Sequence, residues 1–423
     1  MTEHFDALET RDPGEREAAL MAALPVIVAR AQGRSQAMGE RLVGVDAAAV
    51  TDRAALARLP VTRKHELLEA QQAARAAGGD PFGGFAAIGW KGLRHAGGVR
   101  RVFQSPGPIY EPEGESADWW RMGRAIHAAG FRAGDLIHNS FSYHLTPAGS
   151  MMESGAHALG CAVFPGGVGN TELQLQAMQE LRPHGYCGTP SFLKILLDKA
   201  AETGVRLDTH LVKAMVSGEA FPPSLRDWLA ERGVQGYQAY ATADLGLIAY
   251  ETAARQGLVI DEGVIVEIVR PGTGDPVPEG EVGELVVTTT NPDYPLVRFG
   301  TGDLSAVLPG TCPTGRTNGR IKGWMGRADQ TTKVRGMFVH PSQVAEVLRR
   351  HPEALRARLV VEGEMAQDRM TLRVEADGVP EGLAARLAES VRELTKLRAE
   401  VQLLARGSLP NDGKVIEDAR SYK

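Results

Sequence analysis

The sequence predicts an α/β protein: a large N-terminal domain with α/β sheets and a β-barrel-like section, then a small α+β C-terminal domain. Three observations predict it. Strand and helix patterns alternate from residue 135 to residue 233, the rhythm of helices flanking a largely parallel sheet. Past residue 260 the texture changes to short apolar strands joined by Gly, Pro and Asp turns. The chain has 423 residues, enough for two or three domains of roughly 150 residues each.

In chain order, residues 14–42 space Ala, Leu, Met and Val as a helix does, and Gly44 ends the pattern. LARLPVTRKHELLEAQQAARAAGG (57–80) reads as a turn and then a helix capped at Thr62, with Gly78 and Gly79 after it. RVFQSPGPIYEPEG (101–114) reads either as a loop that cradles phosphate or as a plain surface turn, since Pro and Gly are common turn residues. Residues 115–130 carry another helical pattern. Strands are expected at 135–143, 161–167, 185–190 and 212–218. Helices are expected at 150–160, 171–183, 191–204 and 222–233, the last with proline in its first turn. The second texture gives strands at 264–269, 283–290 and 303–308. A helix begun at Pro341, a strand at 369–376 and an amphipathic helix at 382–399 follow. The boundary is expected near GRADQ (326–330), where charged residues and glycine gather without an apolar run. This gives domains 1–325 and 326–423.

Composition narrows the function. Apolar residues make up 43% and charged residues 23%, ordinary for a soluble globular protein. A net charge of −5 argues against an electrostatic nucleic-acid partner. No apolar run reaches the ~18 residues of a membrane span. The mixed, acidic start is unlike a secretory signal. Three widely spaced cysteines suggest a reducing, cytoplasmic setting. The 49 glycines exceed the usual share of about 7% and suggest tight turns and places where backbone meets a ligand.

Four segments carry chemistry. In GYQAYATADLGLIAYE (236–251), Thr242 offers a hydroxyl and Asp244 a carboxylate at a strand-to-loop edge. In open α/β sheets ligands sit beyond such edges. The pair suits either a phosphate with magnesium or a small-residue turn with a helix cap. In PLVRFGTGDLSAV (295–307), Asp303 follows Gly302; its carboxylate suits a pair of ribose hydroxyls or a β-turn. GRADQTTKVRGMFVHPSQVAEVL (326–348) is a polar loop, a glycine turn and a helix. LPNDGKVIEDAR (409–420) presents Lys414 on a glycine turn, either as a functional cation or as a solvated surface lysine.

Taken in this order, the four segments resemble the adenylate-forming superfamily, and most closely its phenylacetate–CoA ligase branch. YATAD (240–244) is similar to the branch's aromatic-Gly-Thr-small-Glu segment, with Ala241 for glycine and Asp244 for glutamate. VRFGTGDLS resembles the Arg-x-x-Thr-Gly-Asp motif, GRADQTTKVRGMFVHP the hinge motif, and LPNDGK the terminal lysine motif. VSGEAFPPSLR (216–226) resembles the adenine-contacting segment, and GGVGNTELQLQ (166–176) and GTPSFL (188–193) add to the likeness. It spans nearly the whole chain.

The resemblance implies a two-step reaction. A carboxylate attacks the α-phosphate of Mg-ATP to give an acyl-adenylate and pyrophosphate; a thiol, usually of coenzyme A, then displaces AMP. It implies that Lys414 bridges carboxylate and phosphate oxygens, that Thr242 bonds the α-phosphate and that Asp244 ligates magnesium. Asp303 would hold the ribose, with Arg327 nearby. Gly218, Glu219 and Ala220 would face the adenine, with Tyr240 stacked near it. Asp329 would be the hinge of a mobile C-terminal domain, bringing Arg335 and Gly336 in for thioester formation. Phe141, Tyr143 and His144 would line the acid pocket, with Gly149 leaving room; aromatic walls suit an aryl or arylacetyl group.

The sequence also departs from the family. Where the family has its phosphate loop ending in Lys-Pro, only Ser105 and Gly107 match and the lysine is missing. Pro106 and Pro108 remove N–H donors, and Glu111, Glu113 and Glu115 would repel pyrophosphate if they pointed inward. Related ligases often carry a Cys-Pro-Cys-Gly-Arg turn in a zinc-like site; here it reads Cys312-Pro313-Thr314-Gly315-Arg316, with Thr252 and Val259 upstream. One soft ligand does not make a structural zinc site, so no zinc is expected. The expected function is therefore an ATP-dependent ligase making acyl- or aryl-CoA from a small carboxylic acid. Two alternatives stand beside it: transfer to a carrier-protein thiol or an amine, and a degenerate member that binds a nucleotide or acyl compound without turnover. The oligomeric state is open, a homodimer being one option.

Overall fold

The computed structural model describes residues 3–93, 97–207, 209–328, 330, 332–334, 337–363, 369–378 and 381–420. The chain packs as two units. One comprises Met1–Val266, Val287–Phe299 and Leu308–Trp324; the other comprises Glu267–Val286, Gly300–Val307 and Met325–Lys423. Strands Val264–Val269, Gly283–Thr289 and Phe299–Ser305 carry the chain from one unit to the other.

The first unit is built on a mixed sheet. Strands Ala162–Pro165, Leu136–Asn139, Gly185–Gly188, Lys213–Val216 and Gln235–Thr242 lie side by side and parallel. Gly246–Glu251 and Leu258–Ile260 then continue it antiparallel. The alternation read from sequence is the source of the parallel half, since parallel neighbours need a crossover, usually a helix. The crossovers are helices Ala148–Ala158, Thr171–Leu181, Pro190–Thr203 and Pro223–Ala230. Leu193, Leu196, Leu211, Val216, Leu229 and Val234 form a buried cluster between helices and sheet.

Local differences from the sequence reading have physical causes. The helix expected over 14–42 is two, Pro13–Arg34 and Gln36–Arg41, because the Ser35 hydroxyl accepts the Met38 N–H at 3.2 Å and starts a new helix. Thr62 is not a helix cap. It lies in a short strand and donates its N–H to the Arg298 carbonyl at 2.9 Å, and the helix starts at Lys64. The helix expected over 115–130 is only Met122–Ala128, because Arg121 adopts a left-handed backbone (φ 62°) just before it. Residues 101–114 are not a loop but a hairpin, Val99–Ser105 paired antiparallel with Ile109–Gly114.

In the second unit a four-stranded sheet pairs Ala354–Glu362 with Arg369–Ala376, flanked by Glu400–Leu404 and Ile416–Asp418. Helices Pro341–Arg350 and Leu383–Thr395 bury Val344, Val347, Leu383 and Leu387 in one core with Leu359 and Leu372. Among the described residues no helix is long and apolar enough to cross a membrane.

Candidate active site

In the first unit the predicted residues gather at the ends of the parallel strands. Gly218, Glu219 and Ala220 follow strand Lys213–Val216. Gly218 has φ 84°, the left-handed region that suits glycine. The Glu219 carboxylate accepts the Ser191 N–H at 2.6 Å, which ties this loop to the start of helix Pro190–Thr203. That places an acid at a helix N-terminus, where the dipole favours it.

Tyr240, Ala241 and Thr242 end the next strand, and a register shift between Tyr240 and Ala241 turns it sharply into Gly246–Glu251. The Thr242 Oγ1 accepts the Leu245 N–H at 3.1 Å. A hydroxyl has one donor and two acceptor lone pairs, so this turn bond leaves Thr242 a proton to give to a phosphate oxygen. Asp244 sits in the turn and is buried. Its Oδ2 accepts Lys64 Nζ at 2.9 Å, while its Oδ1 has no hydrogen-bond partner.

Lys64 was not expected here. It opens helix Lys64–Ala76, a position where the helix dipole disfavours a cation; that misplaced charge was the one signal of it in the sequence. Glu111 is the second addition. It lies fully buried on the hairpin, and its Oε1 accepts the Ser105 hydroxyl at 2.5 Å. Burial, then repulsion from Asp244, pushes the Glu111 carboxyl up to about 8. Glu113 is also buried, with Arg101 at 3.4 Å. The acids of this strand therefore point inward. Gly107 stays in the turn between the hairpin strands, and Ser105 is held by Glu111.

The residues expected around the acid follow strand Leu136–Asn139. Phe141 is buried, and its ring lies 3.7 Å from where a Cβ on Gly218 would stand. The Tyr143 hydroxyl accepts Asn139 Nδ2 at 2.7 Å, and burial raises its pKa. The room beside Gly149 is taken: a Cβ there would lie 2.8 Å from the Tyr143 ring and 2.7 Å from the Ser142 carbonyl. His144 is exposed. His138 is buried and bonded to Gln174 at 2.7 Å, a structural role.

In the second unit Asp303 and Arg327 meet, Nη1 to Oδ1 at 2.8 Å, and the Ala328 N–H bonds the Gly302 carbonyl at 2.7 Å. Lys414 is exposed, and its N–H is held by Asp412 at 3.1 Å. A cavity of ≈ 50 Å³ beside it is lined by Arg270, Val282 and Arg356. Asp329, Arg335 and Gly336 lie outside the described residues. Among the described residues no three His, Cys, Asp or Glu side chains form a metal-holding group. Cys312 is buried and hydrogen-bonded to Thr252 at 3.2 Å and Thr314 at 3.1 Å.

Comparison with known proteins adds the following. Residues 128–291 match a family model described as AMP-binding enzyme. The phenylacetate–coenzyme A ligase of Thermus thermophilus is 32% identical over 317 residues, covering 68% of this chain and 71% of that protein. The phenylacetate–coenzyme A ligase of Aromatoleum evansii is 32% identical over 356 residues, covering 81% and 76%. A solved structure of 2-hydroxyisobutyryl-CoA ligase in an open conformation, with 2-HIB-AMP and CoA, superposes with TM-score 0.72 at 23% identity, over 97% of this chain and 92% of that one. That likeness is one of fold.

Proposed function

Because this chain belongs to the AMP-binding enzymes, on their phenylacetate–CoA ligase branch, and is an AMP-forming acid–CoA ligase, we propose that the acid it activates is an aryl or arylacetic acid. The enzyme uses ATP and coenzyme A and proceeds through an acyl-adenylate. The observation that supports an aryl acid is the buried Phe141 ring set against Gly218, with Tyr143 next to it on the same turn. Flat apolar walls favour a flat apolar acid.

The residues take their roles from their chemistry. Thr242 donates its hydroxyl proton to the α-phosphate. Gly218 and its neighbours give the adenine a backbone edge, and Tyr240 gives it a face. Asp303, oriented by Arg327, accepts the ribose hydroxyls. Lys414, an exposed cation on a glycine turn, neutralises the charge that builds at phosphorus when the carboxylate attacks; its energetic weight lies in the transition state. Magnesium would be held by Asp244, whose buried Oδ1 lacks a partner and is a hard oxygen of the kind this ion takes. When bound, the ion screens the phosphate charge.

The test is the rate of thioester formation from phenylacetate, benzoate and a straight-chain acid, for the wild type and Phe141→Ala. The expected result is a preference for the aromatic acids that the variant loses by roughly tenfold or more in kcat/KM, the worth of about 1.4 kcal/mol of lost contact. Equal use of all three acids by the wild type would remove the aryl assignment.

A further inference from the structure

A lysine head rides on a long, flexible four-carbon stem, so a lysine that must act at one place needs a fixed backbone beneath it. Lys414 has one. Its side chain is exposed, yet the backbone before and after it is held by a side chain more than eighty residues away. The Gln330 Nε2 donates to the Gly413 carbonyl at 2.9 Å, and its Oε1 accepts the Val415 N–H at 2.5 Å and the Ile416 N–H at 2.9 Å. An amide oxygen has two lone pairs and an amide nitrogen only donates. Both lone pairs are therefore used, and a flipped amide would set donors against donors. On its other side the turn is held by Asp412, whose carboxylate accepts the Lys414 N–H at 3.1 Å and is paired with the buried Arg358. Arg358 also donates to the Pro410 carbonyl at 3.2 Å. Gly413 supplies the left-handed backbone, φ 70°, that the turn needs. The backbone around Lys414 is thus fixed from two directions while its side chain is left open to solvent.

We propose that Gln330 is a positioning residue for adenylation: by clamping the backbone before and after Lys414, it fixes the direction in which the lysine side chain leaves the turn. The proposal rests on the role proposed above for Lys414. Misplacing a reacting group by about 1 Å can cost about a hundredfold in rate, so a loosened clamp should show in kcat rather than in substrate affinity. The competing reading is a plain staple. Val415 and Ile416 lead into strand Ile416–Asp418 at the edge of the four-stranded sheet, and Gln330 covers two N–H groups there. A staple stabilises the unit and has no special tie to Lys414, which gives the two readings different kinetics.

The experiment is a double-mutant cycle on the full-length enzyme. It is read by ATP–pyrophosphate exchange with whichever of phenylacetate, benzoate and a straight-chain acid the wild type uses best. Gln330→Leu is expected to lower kcat for exchange at least about tenfold and to leave the KM values for ATP and acid within about twofold. In the Lys414→Ala background the same change should cost nothing further, because the residue it acts through is gone. Thioester formation from added acyl-adenylate and coenzyme A, the step that follows, should run at the wild-type rate in Gln330→Leu. Gln330→Glu keeps the acceptor for both N–H groups and gives up only the bond to Gly413, so it should fall less; it carries the same cycle if the leucine variant does not fold. Equal fractional losses with and without Lys414, or a parallel fall in both half-reactions, identify a plain staple and overturn the proposal. So does Gln330→Leu exchanging at the wild-type rate while Lys414→Ala does not, and that result spares the function. Lys414→Ala exchanging as the wild type removes the role of Lys414 and this proposal with it. Which acid is used best decides the aryl assignment separately.

Discussion

At Asp244 two demands meet in one side chain. It closes a hairpin turn next to Thr242, and it keeps one buried oxygen without a partner. Residues that only fold a chain rarely leave such an oxygen unmet. Arg298 makes the contrast. It is just as buried, but its Nη1 donates to the Ala57 carbonyl at 2.7 Å and the Leu59 carbonyl at 2.6 Å. This is a structural role, anchoring the turn that leads to Lys64. Arg298→Ala is expected to lower the unfolding free energy by roughly 2–5 kcal/mol in a urea titration, with any surviving folded protein keeping its acid preference. A pH effect belongs at this scale as well. His127 is buried edge-on to Phe5, and burial, then Arg132, lowers its pKa to about 4. The unfolded chain takes up that proton near its ordinary value of about 6.5. Between those two values the unfolded state binds more protons, so stability falls as the pH drops from 6.5 towards 4. Thermal midpoints across this range should decline, and His127→Phe should flatten the decline; an unchanged slope would show that other groups set it.

At the scale of elements, the turn that carries Lys414 is built by Gly413. It has φ 70°, and an added Cβ would meet Val282 at 2.6 Å and Leu304 at 3.2 Å. Gly413→Ala therefore combines a strained backbone with a clash, and is expected to cost about 1–3 kcal/mol in the unfolding of this unit. Adenylation should fall with it, because the lysine is displaced. Much at this scale was legible beforehand. The helices from Thr171 to Ala230 fall within two or three residues of the expected bounds, because their apolar spacing and their proline and glycine punctuation are strong. The hairpin at 99–114 was not legible. Its inward positions include Glu111 and Glu113, and an alternation rule looks for apolar residues there. Strand Ala354–Glu362 hides for a related reason: Arg358 is buried in it, paired with Glu417 at 3.0 Å. In the strand a partner distant in sequence neutralises a charge that local pattern would send to solvent; in the hairpin Glu113 meets Arg101 across the strand pair, while burial, then Asp244, pushes the Glu111 carboxyl toward its neutral form.

At the scale of the molecule, the two units share the chain in a way no single-sequence boundary could give. Segments 267–286 and 300–307 pack with the C-terminal run rather than with their neighbours in sequence, and it is tertiary packing that decides this. Asp303 thus sits in the same unit as Arg327 and Lys414, while Thr242 and Asp244 belong to the other. That these residues serve one reaction is proposed from the order of their motifs alone. The three cysteines, Cys161, Cys187 and Cys312, are free and buried, and burial pushes the Cys161 thiol up to about 11. A thiol reagent should therefore find almost nothing in the native protein and three groups after denaturation; fast reaction of the native chain would show that the units open readily.

The most direct test of the ligase account is carboxylate-dependent ATP–pyrophosphate exchange, measured with phenylacetate for the wild type and for Lys414→Ala. Lys414 is exposed and bears no fold-holding side-chain contact among those described, so the variant should fold and melt as the wild type does. Exchange by the wild type that falls by roughly 10²–10³ in the variant is the predicted result. A wild type that binds ATP yet exchanges no pyrophosphate with any aryl, arylacetic or aliphatic acid would contradict it.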